Sequence, residues 1–485
     1  MTITLDNAPV YDTECLPNVW TLAMEMLHSS VSAVWEISEY RDDRRALLEW
    51  FNWLASTQTP MIGFNVINYD YPMLHAIWQN PNITNAELYA KSKSIITSYD
   101  KFSHTIWASD RFTPQIDLFK IHHFDNKAKT TSLKALQINM RLPYVIESSL
   151  GFDDAISKDQ IDRQLIPYGD WDVASTKTFA HHSMSAIDFR LAQVEQFGPD
   201  VLNWNDSKIG SKILEHRLGD EMCYDRSSGR RVMRQTIRDR VALADIIFPF
   251  IQFNNPEFNR VLQYMSAQTL TPSEFEHDDR IVTKGVFAGL KAHVDGIDFK
   301  FGTGGIHGSV ERQRIIATDE WLIRDIDVAS LYPSIAIVNN LAPAHLGDKF
   351  VMEYSNLPKE RKEWQKRKGK KCVEANSLKL AANGTYGNTN NIYSPFYDPQ
   401  FTMQITINGQ LMLAMLVEWL LTVPTVKIIQ ANTDGITYTI HRDHLEHAKY
   451  IETEWERLTK LTLESVHYTR MWIRDVNSYI AEWEE

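Results

Sequence analysis

Several acidic residues of this 485-residue chain stand at spacings that suit metal-assisted phosphoryl chemistry. Val10-Tyr11-Asp12-Thr13-Glu14 reads as a strand end, where residues two apart share a face, so Asp12 and Glu14 point to one side. Gly63-Phe64-Asn65-Val66-Ile67-Asn68-Tyr69-Asp70 runs from an apolar strand into a polar turn. Tyr168 and Asp172 are four apart in Tyr168-Gly169-Asp170-Trp171-Asp172, which places them on one face of a helix. Each group alone has a plainer reading: a solvated strand face, a helix cap at Asp70, a helix start with two solvated acids. Together, Asp12, Glu14, Asp70 and Asp172 could hold two Mg²⁺ or Mn²⁺ ions roughly 3.5–4 Å apart. One ion would make a hydroxide from water and the other would steady the leaving oxygen, with Tyr168 orienting that water.

The order D-x-E, N-x4-D, Y-x3-D resembles the proofreading 3′→5′ exonucleases of the DEDD superfamily, in the variant with a tyrosine. Asn65 matches the asparagine of the second motif and is expected at the DNA strand. The likeness covers residues 8 to about 190 and implies an RNase H–like domain with a mixed sheet.

A second set follows. Trp321-Leu322-Ile323-Arg324-Asp325-Ile326-Asp327 reads as a strand that breaks at Val328-Ala329-Ser330-Leu331-Tyr332-Pro333-Ser334. Lys379, Asn383 and Tyr386 stand at i, i+4 and i+7, so one helical face carries all three. In Thr425–Ile440, apolar-rich strands flank Asp434-Gly435, a tight-turn pair.

The first of these segments resembles the D-x-x-S-L-Y-P-S motif of family B DNA polymerases without a mismatch. The second resembles K-x-x-x-N-S-x-Y-G, with Gly384 in place of the serine. The third, Asn432-Thr433-Asp434-Gly435, resembles D-T-D-S, with Asn432 replacing the first acid and Gly435 the serine. The resemblance implies two Mg²⁺ (or Mn²⁺) ions on Asp327 and Asp434. It also implies triphosphate contacts from Ser330, Leu331, Lys379 and Asn383, exclusion of a 2′-OH by Tyr332, and base-pair contact at Tyr386. The basic run Lys359–Lys371, which could equally be a solvated face, sits where the family places its first fingers helix. Arg361 and Lys362 are the expected phosphate contacts there. Phe301-Gly302-Thr303-Gly304-Gly305 is similar to the family's Y-x-G-G/A segment, which places Gly304 and Gly305 at the template. Tyr479 matches the tyrosine of K-K-R-Y, near the primer terminus.

The elements that must position these groups divide the chain in order. The expectation is an exonuclease over 1–195 and a connector over 196–300. An antiparallel palm follows over 301–355, then helical fingers over 356–391 and the rest of the palm over 392–485. The fold class is thus α/β and α+β, multidomain. No stretch after Tyr479 is long enough for the family's helical thumb, so a truncated chain or a separate thumb-containing subunit is expected.

Composition permits this reading. The net charge of -12 argues only mildly against a nucleic-acid binder, because where charge sits outweighs its total. Cys15, Cys223 and Cys372 form no C-x-x-C pair, so no zinc site or disulfide framework is expected. Without a basic stretch followed by an apolar run at the N-terminus, a cytoplasmic location is expected, and no membrane partner. Leu411–Leu421 reads as a buried helix carrying Glu418. The resemblance implies template-directed DNA synthesis with editing, of a phage type, acting on primer-template DNA, dNTPs and single-stranded DNA. The alternatives are an exonuclease whose second half is idle, and a non-catalytic DNA-binding subunit of a split replicase.

Overall fold

The computed structural model describes residues 3–100, 102–126, 129–271 and 285–484, which include every site residue named above. The chain divides into two compact units, residues 1–206 and 207–485.

The first unit is built on a five-stranded sheet. Its strands are β1 (Pro9–Leu16), β2 (Val19–Met26), β3 (Ser32–Ser38), β4 (Met61–Gly63) and β5 (Gln115–Asp117), in the order β3-β2-β1-β4-β5. The pairings β1–β2 and β2–β3 are antiparallel; β1–β4 and β4–β5 are parallel, so the sheet is mixed. Alternation along β1 serves both faces. Tyr11 joins Trp20, Leu22 and Met61 under helices α1 (Arg44–Thr57) and α2 (Asp70–Gln79). Val10 joins Ala23, Ile62 and Ile116 under α3 (Leu133–Asn139) and α4 (Ile166–His182). Ser132 caps α3, its side chain accepting from Ala135 N.

The second unit holds a nine-stranded sheet whose pairings are all antiparallel. Its strands are β6 (Lys291–Val294), β7 (Ile297–Lys300), β8 (His307–Ser309), β9 (Gln313–Ile316), β10 (Trp321–Val328), β11 (Lys427–Asn432), β12 (Gly435–His441), β13 (Leu463–Asp475) and β14 (Ser478–Trp483). The order is β6-β7-β8-β11-β12-β10-β13-β9, with β14 pairing on β13. The stretch read as a connector is more regular than expected: residues 291–300 supply two strands of this sheet, and α5 (Asp206–Leu218) packs on a helical pair described below.

The chain turns helical after β10: α6 spans Leu331–Val338. Ser330 has φ +50, a left-handed conformation that redirects the chain from strand to helix. Then follow α7 (Gly347–Lys368), which starts ahead of the expected residue 356, and α8 (Val373–Asn388). Helix α9 (Pro399–Leu420) is buried almost throughout. Its Glu418 accepts through Oε1 from the backbone N–H of Asn255, while Oε2 is buried without a hydrogen-bond partner among the described residues. Helix α10 (Leu445–Thr459) closes the far face of the sheet, where the Arg324 guanidinium meets Glu452 at 2.7 and 2.9 Å. Among the described residues no helix is long and apolar enough to cross a membrane.

Candidate active sites

In the first unit, β1 carries Asp12 opposite Ala23 and Glu14 opposite Thr21, both on the α3–α4 face. Helix α4 brings Asp172 over that face. Oxygens of Asp12, Glu14 and Asp172 lie within 4.8 Å of one another. Asp70 stands outside this trio. It opens α2 without capping it, and its Oδ1 accepts from Thr13 N at 3.0 Å and Thr13 Oγ1 at 2.6 Å. Through Thr13, Asp70 fixes the residue that separates Asp12 from Glu14.

Gathering acids away from water destabilises their ionised forms. Burial, then the charges of Asp172 and Asp70, push Glu14 up to about 8. Burial, then Asp70, Glu14 and Asp172, hold Asp12 well above the ordinary range. Burial lifts Asp70 to about 7 against the two Thr13 hydrogen bonds, which lower it. Burial and then Asp172 raise Tyr168 as well, so its phenol keeps its proton. A compact all-oxygen donor set with excess negative charge fits a hard divalent cation.

Sequence reasoning missed α3's part in this site. Lys134 places its ammonium 2.6 and 2.9 Å from the two oxygens of Asp172 and 4.4 Å from the centroid of the Tyr168 ring. Gln137, fully buried, donates to Asp172 Oδ1 at 3.1 Å and to Ser175 Oγ at 3.0 Å. The available signal was a Lys-x-x-Gln in a segment with helical spacing. Asn65 lies on the β4–α2 loop at φ +64. Its backbone N–H donates to Asp117 Oδ1 at 2.8 Å, and its carboxamide oxygen accepts from Asn68 at 2.7 Å.

In the second unit, neighbouring strands bring Asp327 and Asp434 together. Asp327 on β10 pairs with Gly435 on β12 and, on its other side, with Glu464 on β13. Asp327, Asp434, Asp325, Asn432, Glu464 and Tyr479 line one pocket of about 320 Å³. The Asp327 carboxylate opens to solvent, yet partial loss of hydration, then Asp325, Asp434 and Glu464, lift it to about 6. Partial burial raises Asp434 in the same direction. These acids, too, form a donor set for a hard divalent cation.

The turn between β11 and β12 differs from expectation. Asn432 pairs with Gly435, so Thr433-Asp434, rather than Asp434-Gly435, forms the turn. Gly435 answers another need: a Cβ there would lie 1.7 Å from Asp327 Oδ1. The glycine gives the Asp327 carboxylate its place.

Helix α8 presents Lys379 and Asn383 to solvent, and the Tyr386 ring stacks on Tyr332 with centroids 4.3 Å apart. Ser330 and Leu331 form the entry to α6, beside Asp327 in sequence. On α7, Lys362 is exposed, while Arg361 is half-buried with its Nε enclosed. Gly304 has open space around it, whereas Gly305 abuts Thr433.

The fold is similar to that of a family B DNA polymerase. One match is to the family B DNA polymerase from the hyperthermophilic archaeon Pyrobaculum calidifontis, with a TM-score of 0.51 and 13% sequence identity. It covers 99% of this chain and 59% of that one, so the chain spans about three-fifths of the length of the polymerase it resembles. No protein-family model and no curated protein matches the sequence. The mixed α/β, multidomain expectation agrees with this likeness.

Two acids of the second pocket had escaped notice. Asp325 shares the pocket face of β10 with Asp327, and its oxygens accept from Thr437 Oγ1 at 2.5 Å and Tyr468 Oη at 2.9 Å. Its signal was plain, since residues two apart on a strand share a face. Glu464 gave none, because only the β10–β13 register sets it beside Asp327.

Proposed function

We propose that this chain is a DNA-directed DNA polymerase with its own 3′→5′ exonuclease, residues 207–485 carrying synthesis and residues 1–206 carrying editing. In the family's terms the antiparallel sheet is the palm, the pair α7–α8 the fingers and the first unit an RNase H–like exonuclease. One observation carries the reading. Asp327 on β10 and Asp434, on the turn that leads into the paired strand β12, share a pocket, and the helix bearing Lys379, Asn383 and Tyr386 stacks against Tyr332 of the segment that follows Asp327.

In this reading Asp327 and Asp434 would hold Mg²⁺ or Mn²⁺ for synthesis, and Asp12, Glu14, Asp70 and Asp172 would hold it for editing. Bound divalent ions supply Lewis-acid activation of the attacking hydroxyl or water and neutralise charge at the phosphate. The chain's own residues do the rest. Lys379 and Asn383 bind the triphosphate with the α6 entry at Ser330 and Leu331, where unsatisfied backbone N–H groups favour anions. Arg361 and Lys362 meet the outer phosphates. Tyr332, backed by Tyr386, closes the space beneath the sugar. Tyr479 and Gly304 border the primer and template paths. In the first unit Tyr168, held protonated, orients the attacking water, and Asn65 faces the single strand.

The test is extension of a labelled DNA primer on a template with Mg²⁺ and dNTPs. Template-dependent growth supports the reading. Degradation without growth would leave an exonuclease with an idle second half, and neither activity would leave a DNA-binding subunit. By the same resemblance we propose a role in phage DNA replication.

A further inference from the structure

The glycine-rich segment 301–308 lies far from Asp434 in sequence, and β8 brings it beside the Thr433-Asp434 turn. His307 pairs with Asn432 in the β8–β11 register. The backbone N–H of Thr433 donates to Ile306 O at 3.0 Å. The His307 ring bridges the remaining gap: Nδ1 donates to Gly305 O at 3.1 Å, which leaves Nε2 to accept from Thr433 Oγ1 at 3.1 Å. Both bonds suit the neutral ring, and burial lowers the pKa of His307.

Thr433 needs holding. Its φ is +59, a conformation β-branched residues rarely adopt. A free turn would relax away from it, so the surroundings must impose it. Gly305 makes the approach possible, because a Cβ there would stand 3.0 Å from Thr433 Cα. The segment itself is anchored: Gly302 exchanges two hydrogen bonds with the Gln410 side chain, at 3.0 and 2.9 Å, and Ile306 is fully buried. On the other side, Val328 N donates to Asp434 O at 2.8 Å, which ties the turn to the strand of Asp327. The turn is therefore clamped from β8 through Thr433 and from β10 through Asp434.

We infer that His307 is a positioning residue for metal binding by Asp434: through Thr433 it holds the turn in the strained conformation that aims the carboxylate into the pocket. The inference rests on the proposed polymerase reading of that pocket. It also gives the glycine-rich segment a task besides template contact.

The experiment measures Mn²⁺ binding directly, from the electron paramagnetic resonance signal of the free ion. The protein carries Asp12→Ala and Glu14→Ala, so that the first unit's acids do not compete, and a dideoxy-terminated primer–template with the matching dNTP is present. His307→Ala and, as a near-isosteric partner, Thr433→Val are each expected to weaken Mn²⁺ binding about tenfold or more. The double variant should be no weaker than the worse single one, because both break one link. In primer extension the Mg²⁺ concentration for half-maximal rate should rise in parallel, with the rate at saturating Mg²⁺ little changed. A general loss of packing would instead lower that saturated rate. Asp434→Ala separates the failures. If it loses Mn²⁺ while His307→Ala and Thr433→Val bind like the parent, the positioning role is wrong and the pocket reading stands. If Asp434→Ala also binds like the parent, both fall. Additive losses in the double variant would overturn the link through Thr433.

Discussion

Glu14 is half-buried among acids, with Lys134 as the nearby cation, and its carboxyl is pushed up to about 8 from 4.5. The consequence for stability has a definite sign. Between about pH 4.5 and 8 the unfolded chain has released this proton and the folded chain still keeps it. Folding then takes up a proton, and stability falls as pH rises through that window. Asp70, pushed up to about 7, adds a loss of the same sign over a lower window. Glu14→Gln should therefore raise the melting temperature of the chain in EDTA, by little at pH 4.5 and more as pH approaches 8.5. A gain of at least about 1 kcal/mol, or about 2–4 °C for a unit of this size, is expected at the top of the range. An increment that did not change with pH would show that Glu14 is not held protonated. At the other site, Tyr332 lies on Tyr386 with ring centroids 4.3 Å apart, which removes its freedom to swing aside for a bulkier sugar. Tyr332→Ala should improve ribonucleotide incorporation relative to deoxyribonucleotide by about tenfold or more, equivalent to about 1.4 kcal/mol in barrier. Unchanged discrimination in competing-nucleotide extensions would take Tyr332 out of that role.

Helices α5 and α8 cross at a point where backbone meets backbone. A Cβ on Gly210 would lie 1.8 Å from Leu380 O, and one on Gly384 would lie 2.6 Å from Ser207 O. Ser211 Oγ donates to Gly384 O at 3.2 Å, and Asn388 Nδ2 donates to Ser211 Oγ at 2.6 Å across the same crossing. Gly384 stands where the motif it resembles has serine, and the crossing explains the exchange: backbone atoms there cannot yield as a side chain would. Gly384→Ser should accordingly destabilise the chain, by about 1–3 kcal/mol, although it restores the motif. Chemical denaturation reads the stability, and the dNTP concentration for half-maximal extension should rise as α8 is pushed from its seat. A variant as stable as the parent with unchanged dNTP dependence would mean that the helices part without cost. This element also marks what the sequence can convey. The i, i+4, i+7 stripe on α8 and the strands around Asp327 and Asp434 were readable, because period and motif are local. The partner of Gly384 was not, since α5 lies far upstream in the stretch read as a connector. Local patterns also misplaced the β11–β12 turn by one residue. Asp-Gly is the stronger turn signal, but the Gly435 pairing beside Asp327 claimed the glycine and left Thr433 in the strained position.

At the scale of the whole molecule, each compact unit keeps its own group of carboxylates. Asp12, Glu14, Asp70 and Asp172 all fall in residues 1–206, and Asp325, Asp327, Asp434 and Glu464 all fall in residues 207–485. Coulomb effects between ionised groups are strong at contact and fade with distance in salt solution. The charges that shift Glu14 come from Asp172, Asp70 and Lys134, and those that shift Asp327 come from Asp325, Asp434 and Glu464. Neither site draws on the acids of the other. Loss of a ligand in one unit should then leave the other's chemistry in place. Asp327→Ala or Asp434→Ala should reduce nucleotide addition to background while single-stranded DNA is still degraded from its 3′ end. Asp12→Ala with Glu14→Ala should stop that degradation while primers are still extended. Asn432 supplies an internal control within the second unit, since it lines the same pocket but donates through Nδ2 to Val476 O at 3.3 Å. Asn432→Asp should keep extension within about tenfold. The measurement is a pair of assays on each purified variant, extension of a primed template and digestion of a labelled single strand, with circular dichroism to establish that the variant is folded. If a folded Asp434→Ala chain lost both activities, the two units would have to share one reaction centre, and the assignment of a separate task to each would be wrong.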